Sequence, residues 1–299
     1  MALLIITTIL WAFSFSLIGE YLAGSVDSYF PVLMRVGLAA LVFLPFLRTR
    51  GQSPRTIVLY MLVGAMQLGI MYLLAFRAYL YLTVSEFLLF TVFTPLYITL
   101  IYDLLSGRKL RWGYLLSAAL AVLGAAIIRY DKVSDHFWTG LLLVQLSNLC
   151  FAIGMVGYKR LMEVRPMPQH NAFAWFYVGA FIVAVAAWFM LGNAQKLPTT
   201  TLQWSVLVWL GVVASGLGYF MWNYGATQVD AGTLGIMNNV HVPAGLLVNL
   251  AIWQEQPHWP SFISGALVIL ASLWVHRRWV APHSGQTADD RRRGSAQSE

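Results

Sequence analysis

The chain alternates between long apolar runs and short polar segments. Each run can cross the roughly 30 Å hydrocarbon core of a bilayer, for which a helix needs about 20 mainly apolar residues. The pattern therefore predicts an all-α integral membrane protein with ten transmembrane helices. The expected spans are 2–19, 31–47, 56–79, 83–102, 112–128, 138–157, 171–191, 204–222, 231–252 and 260–276.

The two halves of the chain repeat this hydropathy pattern. A shift of 148 positions places Pro95 on Pro243, and the surrounding helices align with them. Because five helices per half is an odd number, the second half must enter the membrane in the opposite orientation. We expect two inverted five-helix repeats, at 3–128 and 138–276, and this symmetry is typical of transporters.

Composition and charge agree with a bilayer as solvent. Hydrophobic residues make up 59% of the 299 positions and charged residues 10%, whereas soluble domains carry roughly 25% charged residues. Most of the 19 Lys and Arg residues lie in segments that are cytoplasmic if the N-terminus is, so the positive-inside rule places both termini in the cytoplasm. The polar stretch 282–299 cannot bury enough apolar surface to order itself, and we expect a disordered cytoplasmic tail there.

Three charged side chains fall inside predicted spans, where a charge is costly and usually functional. Arg35 lies early in the second span, Arg77 near the end of the third and Glu86 early in the fourth. An arginine there can receive a substrate carboxylate through two parallel hydrogen bonds. Alternatively, Arg77 and Glu86 form an ion pair that holds two helices together. Glu86 is also the candidate for carrying a coupling ion.

The ninth span is unusually polar for a membrane helix. It contains Asn238, Asn239 and His241, followed by Pro243. Proline removes a helical hydrogen bond, and such breaks are tolerated where protein or a wet cavity surrounds them. We expect helix breaks at Pro243 and at its counterpart Pro95, with the polar residues lining a cavity or bonding to neighbouring helices. Since His241 has no second ligand three or four positions away, a metal site is not expected.

Other polar or aromatic side chains lie near the middle of predicted spans. They are Trp11, Gln67, Asn148 and Trp222. Each alone is most often a contact between helices, but together they favour a substrate-binding cavity with amide groups and stacking rings.

Several motifs resemble one family of membrane proteins. The opening Leu10-Trp-Ala-Phe-Ser-Phe15, the early arginine of the second span, and Pro95 after Thr83-Val-Ser85 resemble the drug/metabolite transporter superfamily, and within it the EamA-repeat members. The resemblance covers residues 3–276 and implies a secondary transporter that works by alternating access.

Two segments narrow that resemblance. Residues 167–177 and 218–239 are similar to the members of this family that import biotin, a small carboxylate vitamin, across the bacterial inner membrane. The polar and aromatic residues within the spans are compatible with such a substrate. An arginine of the outer half suits the carboxylate, Asn148, Asn238 or Asn239 the ureido group, and Trp11 or Trp222 the apolar body.

Other function classes receive less support. The sequence has no nucleotide-binding motif, so neither an ATPase activity nor an ATPase subunit is implied, and no cofactor is expected. Neither His-Glu-x-x-His nor Gly-x-Ser-x-Gly occurs, which disfavours an enzyme. The basic residues are scattered through loops rather than gathered in a domain, so nucleic acid is not an expected partner. An exporter of amino acids, drugs or other metabolites on the same fold is the main alternative.

Overall fold

The architecture was taken from a computed structural model, which describes most of the chain. The described residues are 2–105, 135–229, 247–254 and a set of isolated positions: 116, 120, 123, 127, 234, 237–238, 244–245, 259–260, 263–264, 267–268, 270–271, 274 and 278.

Seven helices account for most of the described residues. Six of them are long and apolar enough to cross a membrane, and a shorter apolar helix, α2, joins them. The described part of the chain contains no strand, so the prediction of an all-α, multi-pass membrane protein is confirmed. The helices are α1 (Ala2–Tyr21), α2 (Phe30–Phe46), α3 (Pro54–Ala78), α4 (Val84–Leu105), α5 (Asp135–Val164), α6 (Gln169–Leu191) and α7 (Thr201–Thr227).

The remaining predicted spans lie mainly outside the described residues. This holds for 112–128 and 260–276 and for most of 231–252, where a short π-helical segment, Asn249–Trp253, is described. The count of ten helices therefore stays a prediction, as does the disordered tail at 282–299.

Polar caps set the starts of two helices. The Thr83 side chain accepts a hydrogen bond from the backbone of Glu86, whose carboxylate accepts one from the Thr83 backbone in return. Thr200 and Gln203 form the same reciprocal arrangement at the start of α7. Such capping boxes satisfy backbone donors that a helix start otherwise leaves without partners, which explains why these helices begin at the residue after the threonine.

Helix α5 is longer than its predicted span of 138–157. It continues to Val164 because its polar end is stabilised after the apolar run stops. Glu163 pairs with Lys159 at 3.8 Å and with Arg160 at 2.8 Å. Lys159 also donates to the carbonyl oxygens of Ala226 and Val229, at 3.2 and 2.9 Å, where a positive charge stabilises the C-terminal end of α7.

Helices α3 and α7 each contain a π-helical segment at matching positions. The segments are Ala65–Ile70 in α3 and Leu210–Leu217 in α7. A shift of 147 residues aligns Gly64 with Gly211, Gly69 with Gly216 and Tyr72 with Tyr219. Because π-segments are rare and concentrate at functional sites, their matching positions mark α3 and α7 as equivalent walls of the bundle.

The π-segment of α7 exposes carbonyl groups that side chains from other helices satisfy. Trp11 Nε1 donates to the carbonyl oxygen of Ala214 at 3.1 Å. The Tyr177 hydroxyl lies 2.6 Å from the Ser215 carbonyl oxygen and 3.0 Å from that of Gly216. These contacts fix α1 and α6 against α7 and offset the loss of regular helical hydrogen bonds.

Close crossings of backbone hold the bundle together. A Cβ on Gly64 would collide with the carbonyl oxygen of Phe176, and a Cβ on Gly179 would collide with that of Met61. Helices α3 and α6 therefore approach each other through glycine on both sides, as small residues allow in membrane bundles.

Candidate functional site

A partly open cavity lies between the helices at one end of the bundle. It holds about 660 Å³ of empty space, counting its open side. Its lining residues come from the second half of α1, the last third of α3 with Tyr79 just beyond it, the first half of α4 and the early middle of α5, together with single residues of α2 and α7 and Asn238. They are Trp11, Ser14, Phe15, Ile18, Arg35, Met71, Tyr72, Ala75, Phe76, Tyr79, Phe87, Thr91, Thr94, Ser147, Asn148, Phe151, Tyr219 and Asn238.

The opposite end of the bundle is filled by packed aromatic rings. Phe173 stacks on Phe176 with ring centroids 4.8 Å apart and meets Tyr158 at 5.2 Å and Phe220 at 5.4 Å. Phe43 lies 5.2 Å from Phe220. All five rings are buried or partly buried, so the cavity is closed on this side.

Arg35 places a positive charge in the cavity wall. The residue is only 2% exposed. Its Nε donates to Ser215 Oγ at 3.0 Å, and its Nη2 donates to the Tyr72 hydroxyl at 2.7 Å. The Tyr72 and Ser215 oxygens are themselves 3.0 Å apart. The guanidinium is thus held in one orientation by α3 and α7, directly beside their π-segments.

The Arg35 charge has no acidic partner among the residues that the structure describes. The ion pairs found there join Glu163 to Lys159 and Arg160. Arg35 instead lies over the ring of Tyr72, with its Cζ 4.2 Å from the ring centroid. A buried charge without a counter-ion costs several kcal/mol, and the guanidinium keeps further N–H donors for an anion that enters the cavity.

The hydroxyl of Tyr79 is a second unused group in the same wall. Tyr79 lines the cavity and is 7% exposed, and its hydroxyl has no hydrogen-bond partner among the described residues. Its ring stacks on Phe87 with centroids 4.3 Å apart. A donor hydroxyl in the same wall as the Arg35 guanidinium adds to an anion-binding environment.

Two amide side chains also face the cavity. Asn148 Nδ2 donates to the Phe90 carbonyl oxygen at 2.9 Å, which leaves its Oδ1 as an acceptor. Asn238 is 2% exposed, and its Nδ2 has no partner within the described part of the chain. The cavity lining therefore contains an amide oxygen without a hydrogen-bond partner, and a residue whose buried amide nitrogen has none among the described residues.

An aromatic surface completes the cavity. Trp11 lies 4.6 Å from Tyr219 and 6.3 Å from Phe151, measured between ring centroids. Tyr72 meets Tyr219 at 5.8 Å, so the equivalent tyrosines of α3 and α7 touch each other. This surface suits the apolar body of a ligand whose polar groups reach the amides and the guanidinium.

Four of the sequence-predicted residues line the cavity: Trp11, Arg35, Asn148 and Asn238. Asn239, His241 and Pro243 lie outside the described residues. Pro95 follows a 3₁₀ turn, Thr91–Phe93, that interrupts α4, so the regular α-helix does break just before this proline.

The other predicted residues lie elsewhere in the bundle. Gln67 is fully buried and donates to Asn223 Oδ1 at 3.1 Å. Trp222 is fully buried behind Trp11 and donates to Met155 Sδ at 3.1 Å. Both side chains pack between helices, because each finds its partner on a neighbouring helix rather than in the open space.

An Arg77–Glu86 ion pair is not among those found in the described part of the chain. The Glu86 carboxylate is turned back to cap its own helix at the Thr83 backbone N–H. Arg77 is half-buried, with its Cζ 6.0 Å from the ring centroid of Tyr29. The capping box thus engages one oxygen of the carboxylate that the ion pair would use.

Sequence reasoning missed Tyr72, Tyr79 and Ser215. Hydroxyl-bearing residues are common in membrane helices, so none of them stood out. One signal was available: a buried arginine needs acceptors, and Tyr72 recurs as Tyr219 in the second half, 147 residues later.

The fold and site together define a class of protein. A multi-pass helical bundle has a cavity that is open at one end and closed at the other. Its lining combines aromatic rings, two asparagines and a buried guanidinium with N–H donors to spare, which is the arrangement expected of a carrier for a small organic anion. The sequence matches the EamA-like transporter family over residues 1–130 and 138–277. The chain belongs to this family.

Named relatives agree with that membership. The chain is 83% identical over its whole length to the "Biotin transporter" of Escherichia coli (strain K12), which it also covers completely. It is 55% identical to the "Probable biotin transporter" of Pseudomonas aeruginosa, over 93% of this chain and 97% of that protein. One crystal structure shares the fold with a TM-score of 0.65, at 16% identity, over 92% of this chain and 95% of its own.

Proposed function

We propose that this protein is a biotin transporter, and that Arg35 receives the carboxylate of biotin. The observation that carries the proposal is the buried Arg35 guanidinium, which faces the cavity without an acidic partner in the described residues. The two relatives named for biotin transport support the choice of substrate.

A carboxylate fits Arg35 for a physical reason. Binding an anion there neutralises a charge that the protein buries at a cost, and the planar guanidinium donates to two oxygens at once. Tyr72 and Ser215 hold the group in place before the substrate arrives, so less entropy is lost on binding. The Tyr79 hydroxyl supplies a further donor.

The rest of biotin suits the remaining walls. Its valerate chain and sulfur-containing ring are apolar and match the aromatic surface of Trp11, Phe151 and Tyr219. Biotin is polar at both ends, in its carboxylate and its ureido group. The cavity likewise has separate polar residues, Arg35, Asn148 and Asn238, among its aromatic rings.

We further infer that the chain forms ten helices in two inverted repeats, 3–128 and 138–276, and works by alternating access. The separate family matches at 1–130 and 138–277 support this division, as do the matching π-segments of α3 and α7. Rocking of two such repeats about a central site is how transporters of this symmetry move substrate. Such a protein is a carrier rather than an enzyme.

With both termini in the cytoplasm of a bacterial inner membrane, the cavity opens to the outer side. The end of α3 and the start of α4, which line it, are then periplasmic, whereas the packed rings of Phe43 and Phe173 close the cytoplasmic side. This orientation agrees with import and with the distribution of basic residues.

Uptake of labelled biotin tests the proposal. The chain is expressed in cells that lack their own biotin import, and uptake is compared with an empty vector and with excess unlabelled biotin. We expect saturable uptake that the unlabelled vitamin abolishes. If the chain inserts normally but uptake equals the empty vector, the biotin proposal fails and an exporter on the same fold becomes the better hypothesis.

A further inference from the structure

We propose that Asn148 and Asn238 form a subsite for one edge of a urea or cyclic amide group, and that this subsite sets the specificity of the transporter. The inference rests on the proposed function, because biotin supplies such a group in its ureido ring. It adds a second recognition point, independent of the carboxylate and of Arg35.

The polarity of Asn148 follows from its contacts. Its Nδ2 donates to the Phe90 carbonyl oxygen at 2.9 Å and lies 3.4 Å from Gln145 Oε1. Both neighbours are acceptors, so the nitrogen must face them and the amide cannot be reversed. Asn148 lines the cavity and its Oδ1 accepts no hydrogen bond within the described part of the chain, so this oxygen can accept one from a ligand N–H group.

Asn238 supplies the opposite polarity. Its Nδ2 is buried and has no partner among the described residues, although the side chain lines the cavity. A buried donor without an acceptor is unfavourable, and a ligand carbonyl oxygen in the cavity would relieve it. Unsatisfied buried polar groups of this kind are uncommon in native structures and mark candidate binding positions.

One acceptor and one donor match the edge of a cyclic urea. On that edge an N–H group and a C=O group stand side by side, so Asn148 Oδ1 accepts from the N–H while Asn238 Nδ2 donates to the carbonyl. A carboxylate with an alkyl chain and no urea leaves both asparagine groups without partners. Sites built on hydrogen bonds reject such analogues strongly, because the unmet groups stay buried.

The helix positions support this assignment. Phe151 follows Asn148 by one helical turn on α5, and its ring contacts Trp11 and Tyr219. The amide therefore lies next to the aromatic surface, where an apolar ring fused to a urea would pack.

Competition between two analogues tests the inference in intact cells. Desthiobiotin keeps the ureido ring and the carboxylate, whereas lipoic acid keeps a carboxylate chain on a sulfur ring without the urea. The measured quantity is the ratio of the concentrations of lipoic acid and desthiobiotin that halve the uptake of labelled biotin. For the unchanged protein we expect a ratio of at least about 100, since each of two lost hydrogen bonds weakens binding about tenfold.

Substitutions then show which residues are responsible for the preference for desthiobiotin over lipoic acid. Asn238→Leu and Asn148→Ala should each lower the ratio about tenfold, because they weaken desthiobiotin and leave lipoic acid unaffected. Gln67→Leu is the matched control, since it removes a buried amide that lies outside the cavity and bonds to Asn223. It should reduce the amount of protein and leave the ratio unchanged.

The ratio does not depend on how much protein reaches the membrane, so a poorly folding variant still reports on specificity. The two asparagines lie on different segments, so either variant suffices if the other transports nothing. Ratios equal to that of the unchanged protein in the asparagine variants, with biotin uptake intact, would overturn the subsite and leave the biotin proposal standing. Absence of biotin uptake by the unchanged protein would remove both.

Discussion

The guanidinium of Arg35 donates a hydrogen bond to the Tyr72 hydroxyl over 2.7 Å. This bond joins α2 to α3 at the point where a π-segment has just ended, and Ser215, within the π-segment of α7, makes the corresponding contact to Arg35 Nε. The substrate's charge would therefore be bound by elements of both halves of the chain. When a bound carboxylate neutralises the Arg35 charge, it can stabilise one relative arrangement of the two halves over another. A carrier requires such a substrate-dependent change.

The first prediction concerns the two arginines. Arg35→Ala should raise the apparent Km for biotin at least about 30-fold, because losing one partner of a buried charge pair costs about 2–5 kcal/mol. Arg35→Lys should restore uptake only in part, since an ammonium group lacks the planar fork.

Arg77→Ala is the matched control for this prediction. Its guanidinium is half-buried and lies over Tyr29, away from the cavity lining, so uptake should change less than about threefold, as expected for a partly exposed charge. The effects of Arg35→Ala and Arg77→Ala are both measured as initial rates of labelled biotin uptake, normalised to the amount of protein inserted in the membrane. A larger loss in Arg77→Ala than in Arg35→Ala would refute the assignment.

The second prediction concerns the groups that position Arg35. Tyr72→Phe and Ser215→Ala each remove one hydrogen bond to the guanidinium, worth about 0.5–1.5 kcal/mol. The apparent Km should rise about 3- to 10-fold while the maximal rate changes little, because the charge itself remains. A fall in the maximal rate at constant Km would indicate a role in the conformational step instead.

The third prediction separates two roles of Trp11. Trp11→Phe keeps an aromatic ring against Tyr219 but leaves the Ala214 carbonyl without its donor. We expect a loss of about 1–3 kcal/mol in stability with uptake retained. Trp11→Ala also removes the aromatic surface and should abolish uptake at low biotin concentration. Thermal unfolding in detergent and uptake in cells measure the two effects, and equal uptake by both variants would contradict the assigned surface.

The fourth prediction concerns the crossing of α3 and α6. Gly64→Ala and Gly179→Ala each place a methyl group against backbone of the other helix, and overpacking of this kind costs about 1–3 kcal/mol. The apparent Tm in detergent should fall in both variants.

Gly157→Ala is the control for this crossing. Its added Cβ would meet only the end of the Val63 side chain, at 3.2 Å, and that group can move. Its Tm should stay close to that of the unchanged protein. A Tm for Gly64→Ala equal to that of Gly157→Ala would show that the close backbone contact is not needed.

Hydropathy predicted most of the helices because a membrane helix must be apolar for its whole length. It placed the ends less well where polar residues extend a helix, as Lys159 and Glu163 do for α5. The π-segments could not be foreseen, since residues such as Gln67 and Ser215 are equally common in regular α-helices.

Only part of the candidate site could be predicted from the sequence. The cost of burying a charge or amide identifies residues such as Arg35 and Asn148, but it does not reveal whether the partner is a helix or a substrate. Arg77 and Gln67 satisfied the same criterion and lie outside the cavity. Only packing separates these cases, because it decides which polar atoms are already paired.

The most direct test of the central claim compares biotin with its neutral amide. Equilibrium binding of both to the purified protein in detergent measures what the carboxylate contributes. The unchanged protein should bind biotin at least about 30-fold more tightly than biotin amide, the fold-change expected for one buried charge pair, and Arg35→Ala should bind the two almost equally. Equal affinity of the unchanged protein for biotin and its amide would contradict the claim that Arg35 receives the carboxylate.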